Sequence, residues 1–216
     1  MSRAVYTQTQ DPGYFDAERW DMLAELPPPY GRVLDVGCGA GATGRRLRQD
    51  GAELLVGIEP NAAAAAAARE VFDTVQEGTV ENVLAEAAVE GPFDAILLYD
   101  VLEHLVDPAH VLRALRELAA PDARIHISVP NARHWSLVRD LALRGTFGYT
   151  EWGHRDATHL RWFAPRDLEQ LVTASGYGVE RSGSRVFGRS ALIDRATFGL
   201  LRQFLALQWH VLARPA

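Results

Sequence analysis

The sequence holds a single cysteine, Cys38, among 216 residues. One thiol cannot close an internal disulfide, and such sparse use fits a reducing compartment. No apolar run approaches the roughly 20 residues that a bilayer-spanning helix requires. The chain also does not open on a basic stretch, an apolar stretch and a cleavage site; MSRAVYTQTQDPG is polar and reads as a frayed arm. A strong basic field is missing too. Twenty-two basic residues face 28 acidic ones, for a net charge of -6, which argues against DNA or RNA as the main partner. Internal repeats and clear linkers are absent. These absences point to a cytoplasmic protein with no transmembrane segment, and leave room for a homodimer.

What is present is a globular mixture, 48% hydrophobic and 23% charged. The length suits one domain over 1–216, with an N-terminal arm and lid helix in 1–30 and an insertion at 132–164. Helical periodicity runs from Tyr14 to Leu26, through Phe15, Trp20 and Leu23, and stops at Pro27–Pro29. Tyr14 and Phe15 could fold over a ligand or simply pack. RVLDV (32–36), LLVGIE (54–59), VFDTVQ (71–76), FDAILLYDV (93–101) and RIHISVP (124–130) read as strands. Helices are expected between them at 41–49, 62–68, 81–88 and 108–120. That alternation predicts an open parallel sheet covered on both faces. Beyond the insertion we expect a helix at 165–175, a strand at 179–186, a partly helical stretch at 189–202 and a last strand at 204–213. An amphipathic helix using Phe198, Leu201, Phe204, Leu205 and Trp209 is the alternative for the tail.

The sharpest local signal is LDVGCGAGATG (34–44), with glycines at 37, 39, 41 and 44. Between a strand and a helix, such glycines allow a sharp turn and close approach of a ligand. Glu59 ends the next strand about 20 residues on, where an acid can accept hydrogen bonds from ribose hydroxyls. A nicotinamide dinucleotide and S-adenosylmethionine both fit this pattern. Asp35, just before the loop, disfavours a pyrophosphate and favours a cationic ligand.

VLDVGCGAG (33–41), the acid of GIEP (57–60) and FDAILLYDVLEHLVDP (93–108) resemble the class I S-adenosylmethionine-dependent methyltransferases. The likeness is to small-molecule enzymes similar to the ubiquinone-biosynthesis O-methyltransferases. It implies an α/β fold: a seven-stranded, mostly parallel Rossmann-like sheet with helices on both faces, an insertion after strand 5 and an antiparallel last strand. It implies S-adenosylmethionine as cofactor and S-adenosylhomocysteine as product. By the same likeness, Asp35, Gly37, Cys38, Gly39 and Gly41 hold the methionine and ribose side of the cofactor. Glu59, followed by Pro60, holds the ribose, Thr79 and Val80 flank the adenine, and Asp100 and Val101 face the methionine half. One departure is EGTVEN (77–82), which puts Thr79 where the family commonly has an aspartate.

Methyl transfer requires an acceptor at attack distance and a group to take its proton. His104 has a suitable ordinary pKa and sits past strand four, where ligands gather in open sheets. Glu103 beside it could orient the acceptor, and Asn131 and His134, past strand five, could contact it. SVPN (128–131) is not the NPPY-type motif of nucleic-base and protein amine methylation. The segment GYTEWGHRDATHLRWFAPRDLEQL (148–171) resembles one that is common in the subgroup, and it leaves three readings open. His154, Asp156 and His159 could hold a metal. His154 or His159 could touch the acceptor while Asp156 orients the imidazole and Arg155 or Arg161 pairs with an acidic group. Or the stretch could be structural, with Leu160, Trp162 and Phe163 as core. Tyr149 and Trp152 could wall the pocket. We expect no metal, His104, His154 and His159 as the catalytic candidates, and methylation of a hydroxyl on a sugar, quinol or natural-product intermediate. The rivals are a small-amine N-methyltransferase, a nicotinamide-dependent oxidoreductase and an inactive cofactor-binding partner protein.

Overall fold

The computed structural model describes residues 20–151, 153–184 and 186–216. Tyr14, Phe15 and Trp152 lie outside them. A short helix α1 (Trp20–Leu23) precedes β1 (Arg32–Val36), α2 (Ala42–Gln49), β2 (Leu54–Glu59), α3 (Ala62–Ala68), β3 (Thr74–Glu77), α4 (Val80–Ala85) and β4 (Phe93–Tyr99). A 3-10 turn, Leu102–His104, then leads to α5 (Pro108–Glu117) and β5 (Ala119–Pro130). After α6 (Trp135–Arg139) and a π-helical turn come α7 (Pro165–Ala174), β6 (Tyr177–Gly183), α8 (Gly188–Ala196), α9 (Arg202–Leu205) and β7 (Gln208–Pro215).

The strands form one sheet in the order β3-β2-β1-β4-β5-β7-β6. β1 to β5 pair in parallel, and β7 runs antiparallel to both β5 and β6. This is the expected seven-stranded, mostly parallel sheet. Strand order reverses between β1 and β4, and a crevice opens there beyond their carboxyl ends. Six of the seven residues of β4 are buried, which explains its unbroken apolar run. One core packs Leu34, Ile96, Leu98 and Ile127 under α5 and α7; the other packs Val33, Leu55, Leu97 and Leu212 with Met22, Leu23 and Leu47. The alanine helix starts at a side-chain cap: Asn61 Oδ1 accepts from the Ala64 amide at 3.0 Å. Asp107 caps α5, with Pro108 in its first turn.

Several boundaries shift. Val71 and Phe72 precede β3 rather than opening it, because Phe72 turns inward against Gly44 and Gly57, where an added Cβ would meet its ring. The helix expected at 81–88 is Val80–Ala85, started by the Thr79 cap. α5 stops at Glu117, and β5 begins at Ala119, which pairs with Phe93 across a register shift. The strand expected at 179–186 is Tyr177–Gly183. In the tail, Phe204 and Leu205 belong to a one-turn helix and the strand starts at Gln208. A single amphipathic tail helix is excluded, since Trp209 is buried in β7 beside β5. Among the described residues, no helix is long and apolar enough to cross a membrane.

Leu97 is fully buried in β4, between Asp35 of β1 and His126 of β5. Leu97→Ala should cost about 2–5 kcal/mol of stability. Urea titration checks this, and a loss well below that range would mean the sheet centre repacks.

Candidate active site

The loop after β1 turns through three left-handed glycines, Gly37 (φ 75), Gly39 (φ 53) and Gly41 (φ 88). At Gly37 a Cβ would also lie 2.8 Å from Val101 Cγ2, so the position tolerates no side chain. Gly37 and Cys38 donate their amides to the Ile58 carbonyl. Glu59 then completes the loop. Its Oε2 accepts from the Gly39 amide at 2.9 Å and its Oε1 from the Asn61 amide at 2.8 Å. Burial raises the Glu59 pKa, and these two amide bonds oppose the rise. Asp35 is buried beside it, and its Oδ2 has no hydrogen-bond partner. Burial, then the Glu59 charge, push the Asp35 carboxyl up to about 8. Burial also raises the Cys38 thiol well above its usual range, which keeps it protonated and unreactive.

These groups line a cleft of about 280 Å³, with Asp35, Gly37, Cys38, Gly39, Glu59, Pro60, Thr79, Val80, Asp100, Val101 and His104 around it. Gly41 is not on that lining; it faces Val71 and Ala68 from the N-cap of α2. Tyr99, Asn61 and Leu105 also line the cleft. The rule that ligands gather beyond strand ends already points to Tyr99, at the end of β4; Leu105 carries no sequence signal.

A second chamber of about 420 Å³ adjoins the first, and Asp100 lines both. Asp100 has a left-handed backbone (φ 57), and its two carboxylate oxygens accept from Gln208 Nε2 at 2.9 Å each. This residue at the head of β7 therefore reaches across β5 to the end of β4. Glu103, His134, His154, Asp156 and His159 line the second chamber together with Gln208, Phe187, Ser190, Leu205 and Leu207. The tail residues of that wall were not foreseen, because only the antiparallel return of β7 brings them there.

The 153–163 stretch is fastened to the turn after β4. Glu103 is buried, and its carbonyl accepts the amides of Leu160 and Arg161 at 2.8 and 3.0 Å. Arg161 donates to the Val106 carbonyl. Asp156 Oδ1 accepts from both the amide and the hydroxyl of Thr158, each at 2.7 Å. The Thr158 hydroxyl oxygen also lies 3.4 Å from His104 Nδ1. The His104 and His159 rings meet edge to face, 4.8 Å apart. Burial lowers both pKa values, that of His159 to about 4 with His104 as the next cause. At the far wall, Ser136 Oγ lies 2.8 Å from His134 Nδ1 and 3.3 Å from His154 Nε2. Burial lowers these two histidines as well, His134 to about 4. All four imidazoles are therefore neutral at pH 7. Donor atoms of Glu103, His104 and His159 lie within 4.8 Å of one another, a trio of a size to hold a cation. The triad of His154, Asp156 and His159 is not so grouped.

Other expected acceptor contacts stand elsewhere. Asn131 is buried and its amide is used structurally, donating to the carbonyls of Gln203 and Ala206 at 2.7 and 2.9 Å. Arg155 pairs with Asp140 at 2.8 Å. Tyr149 is exposed and contacts Phe147 and Trp162. Neither these three nor Arg161 line either chamber. Of the residues expected as core, Phe163 is buried, whereas Leu160 and Trp162 are exposed because only Phe163 pairs back against Asn131.

Residues 9–182 match the family described as a methyltransferase domain, and the chain belongs to that family. It is 34% identical over 115 residues to a protein of Xanthomonas axonopodis pv. citri named ubiquinone biosynthesis O-methyltransferase, covering 51% of this chain and 47% of that one. A protein of the same name from Azorhizobium caulinodans is 31% identical over 165 residues, covering 72% of this chain and 62% of that one. The chain thus spans about half the length of the first of these relatives and less than two thirds of the second. The fold is shared with a SAM-dependent methyltransferase from Archaeoglobus fulgidus (TM-score 0.69, 17% identity, 94% of each chain). It is also shared with the magnesium protoporphyrin IX methyltransferase of Synechocystis PCC 6803 with bound SAH (TM-score 0.62, 18% identity, 99% of this chain and 92% of that one).

One carboxylate ties the parts of the insertion to one another. Asp140 is buried and contacts Arg139, Arg144 and Arg155, and hydrogen bonds from Arg139 and Arg155 hold its pKa down at about 2. Asp140→Asn should free the 145–156 stretch and speed tryptic cutting after Arg144 and Arg155 about tenfold. Cleavage at the native rate would show that the aspartate is not the anchor.

Proposed function

We propose that the chain binds S-adenosylmethionine in the glycine-loop cleft and methylates a hydroxyl of a small, quinol-type molecule held in the second chamber. The observation that carries this is the junction: the two chambers meet at Asp100, with His104 on the first and His159 on the second. The relatives' names support a quinol-type acceptor, and the lone buried Cys38 suits a reducing cytoplasm.

The residues fit the cofactor. The Glu59 oxygens each keep lone-pair capacity for ribose hydroxyls beyond the amides they already accept. Val80 offers an apolar wall for the base, and the backbone beside Gly37 leaves room for close approach. Asp35 is a buried acid with an unpartnered oxygen, next to a second acid, a setting that lacks a positive charge. The ammonium of the cofactor's methionine half supplies one. When bound, the cofactor contributes an electrophilic methyl on a sulfonium.

This chain's own part is to position the acceptor and take its proton. Thr158 donates its hydroxyl proton to Asp156, so its oxygen is turned to accept from His104 Nδ1–H. That tautomer makes Nε2 the basic nitrogen. Burial keeps His104 neutral at working pH, so it can receive the proton of a phenol-like hydroxyl as the methyl arrives. The His134–Ser136–His154 chain would orient the acceptor's far polar groups. A second reading rests on the Glu103, His104 and His159 trio: a divalent cation held there would acidify the hydroxyl in place of the base.

Calorimetric titration with S-adenosylhomocysteine tests the cofactor. Binding at pH 7 should release protons, because Asp35 starts near pKa 8 and loses its proton when a cation arrives. Asp35→Asn should abolish the release. Well-folded protein that binds a nicotinamide cofactor instead would sink the proposal.

Turnover tests the base. His104→Ala should lower kcat by about 100-fold or more while cofactor affinity changes far less. In the native protein, kcat/KM for the acceptor should rise with pH through an inflection below the ordinary histidine value of 6.5 and then level, because a lowered pKa leaves the base protonated only in acid. An unaltered kcat in the variant would exclude the role. Under the base reading activity survives EDTA; loss restored by a divalent ion would favour the cation reading.

A further inference from the structure

At the far wall of the second chamber, two imidazoles share one hydroxyl. Ser136 Oγ lies 2.8 Å from His134 Nδ1 and 3.3 Å from His154 Nε2, and the two rings stand 5.3 Å apart. Both histidines line the chamber, and Ser136 sits behind them. The insertion brings the three together. His134 and Ser136 stand at the start of α6, where His134 is the N-cap and its carbonyl accepts the Leu137 and Val138 amides. His154 arrives on a loop whose next residue, Arg155, is tied back to Asp140 at 2.8 Å. Two separate segments are thus held so that their imidazoles meet on one serine.

Counting protons fixes what the trio can present. Burial lowers the pKa of both imidazoles, that of His134 to about 4, so each carries one ring proton at pH 7. Ser136 has one hydroxyl proton and gives it to one imidazole only. The other imidazole must then donate to the Ser136 oxygen. Two arrangements satisfy this. In the first, His134 donates from Nδ1 and His154 accepts at Nε2, so both rings are protonated on Nδ1. In the second, His134 accepts at Nδ1 and His154 donates from Nε2, so both are protonated on Nε2. The two rings therefore share one tautomer. Their second nitrogens, His134 Nε2 and His154 Nδ1, take no hydrogen bond among the described residues and are not sealed in the interior. In either arrangement one of these nitrogens is a donor and the other an acceptor. A ligand edge with one donor beside one acceptor meets a match in both. An edge made of acceptors alone sets a lone pair against the bare nitrogen.

We propose that His134, Ser136 and His154 form a subsite for a donor–acceptor edge of the methyl acceptor: a hydroxyl next to an ether or carbonyl oxygen, two adjacent hydroxyls, or a carboxamide. The subsite refuses an edge of acceptors alone, such as an ester, a carboxylate or an oxidised, quinone edge. The inference deepens the methyl-transfer reading and rests on it for the ligand, whereas the shared tautomer does not depend on that reading.

Nitrogen NMR correlation spectra of the full chain at pH 7 test the construction. His134 and His154 should show the same tautomer, and opposite tautomers would overturn the proposal. Calorimetry with S-adenosylhomocysteine present tests the ligand, using the amide and the methyl ester of protocatechuate. With the ring hydroxyls at the junction, the amide or ester group faces the far wall. The amide should bind at least about tenfold more tightly, since the ester brings no donor for the bare nitrogen. Ser136→Ala uncouples the rings, so this ratio should fall at least about threefold. Ser136→Thr, which keeps the hydroxyl, should retain it. A ratio taken within one variant cancels any general loss of affinity. Equal binding of the two probes by the native chain, or a preference that Ser136→Ala leaves intact, would overturn the proposal. A chain that binds neither probe would count against the quinol-type acceptor, and the tautomers would then decide for or against the subsite.

Discussion

The site depends on one buried carboxylate. Glu59 joins the glycine loop to the start of α3 by accepting an amide from each, so the end of β2 and the turn after β1 hold one another in place. The same interaction sets the electrostatics. Two acids, Glu59 and Asp35, are buried side by side, and burial first, then the Glu59 charge, lifts Asp35 far from its ordinary pKa. Desolvated like charges are costly. They become favourable once a cation enters, so the cleft is built for a ligand that brings hydroxyls to one acid and positive charge to the other.

Around that cleft, the sheet order does the positioning. β1 and β4 diverge at the reversal of strand order, and the turn after β4 carries Asp100, Glu103 and His104 to the opening. The insertion is then fastened to this turn by main-chain bonds to Glu103 rather than by a large apolar interface. The histidines of the second chamber sit in a polar, hydrogen-bonded frame, and Phe163 is the buried aromatic at the end of the same stretch. Such a frame can hold imidazoles in one tautomer without burying them beyond reach of a substrate.

Much of this was legible in the residues. The run from Phe93 to Tyr99, the glycines after β1 and the acid at the end of β2 are local patterns with local physical causes, and they set the sheet and the cleft. The acceptor side was less legible because it is assembled from distant pieces. Gln208 meets Asp100 only through antiparallel pairing of β7 with β5. Asn131, Arg155 and Arg161 looked chemical in sequence, yet their polar groups are used on backbone carbonyls and Asp140. Leu160 and Trp162 looked like core by composition alone, and nothing local indicates that the loop turns them outward.

The central claim is that cofactor and acceptor occupy separate chambers that meet at Asp100 and His104. A crystal structure of the chain with S-adenosylhomocysteine tests it most directly. The ribose should lie on Glu59, the ammonium near Asp35, and the sulfur should point through the junction toward the His104 and His159 rings. A ligand seated in the second chamber, or one whose sulfur faces away from those histidines, would contradict it.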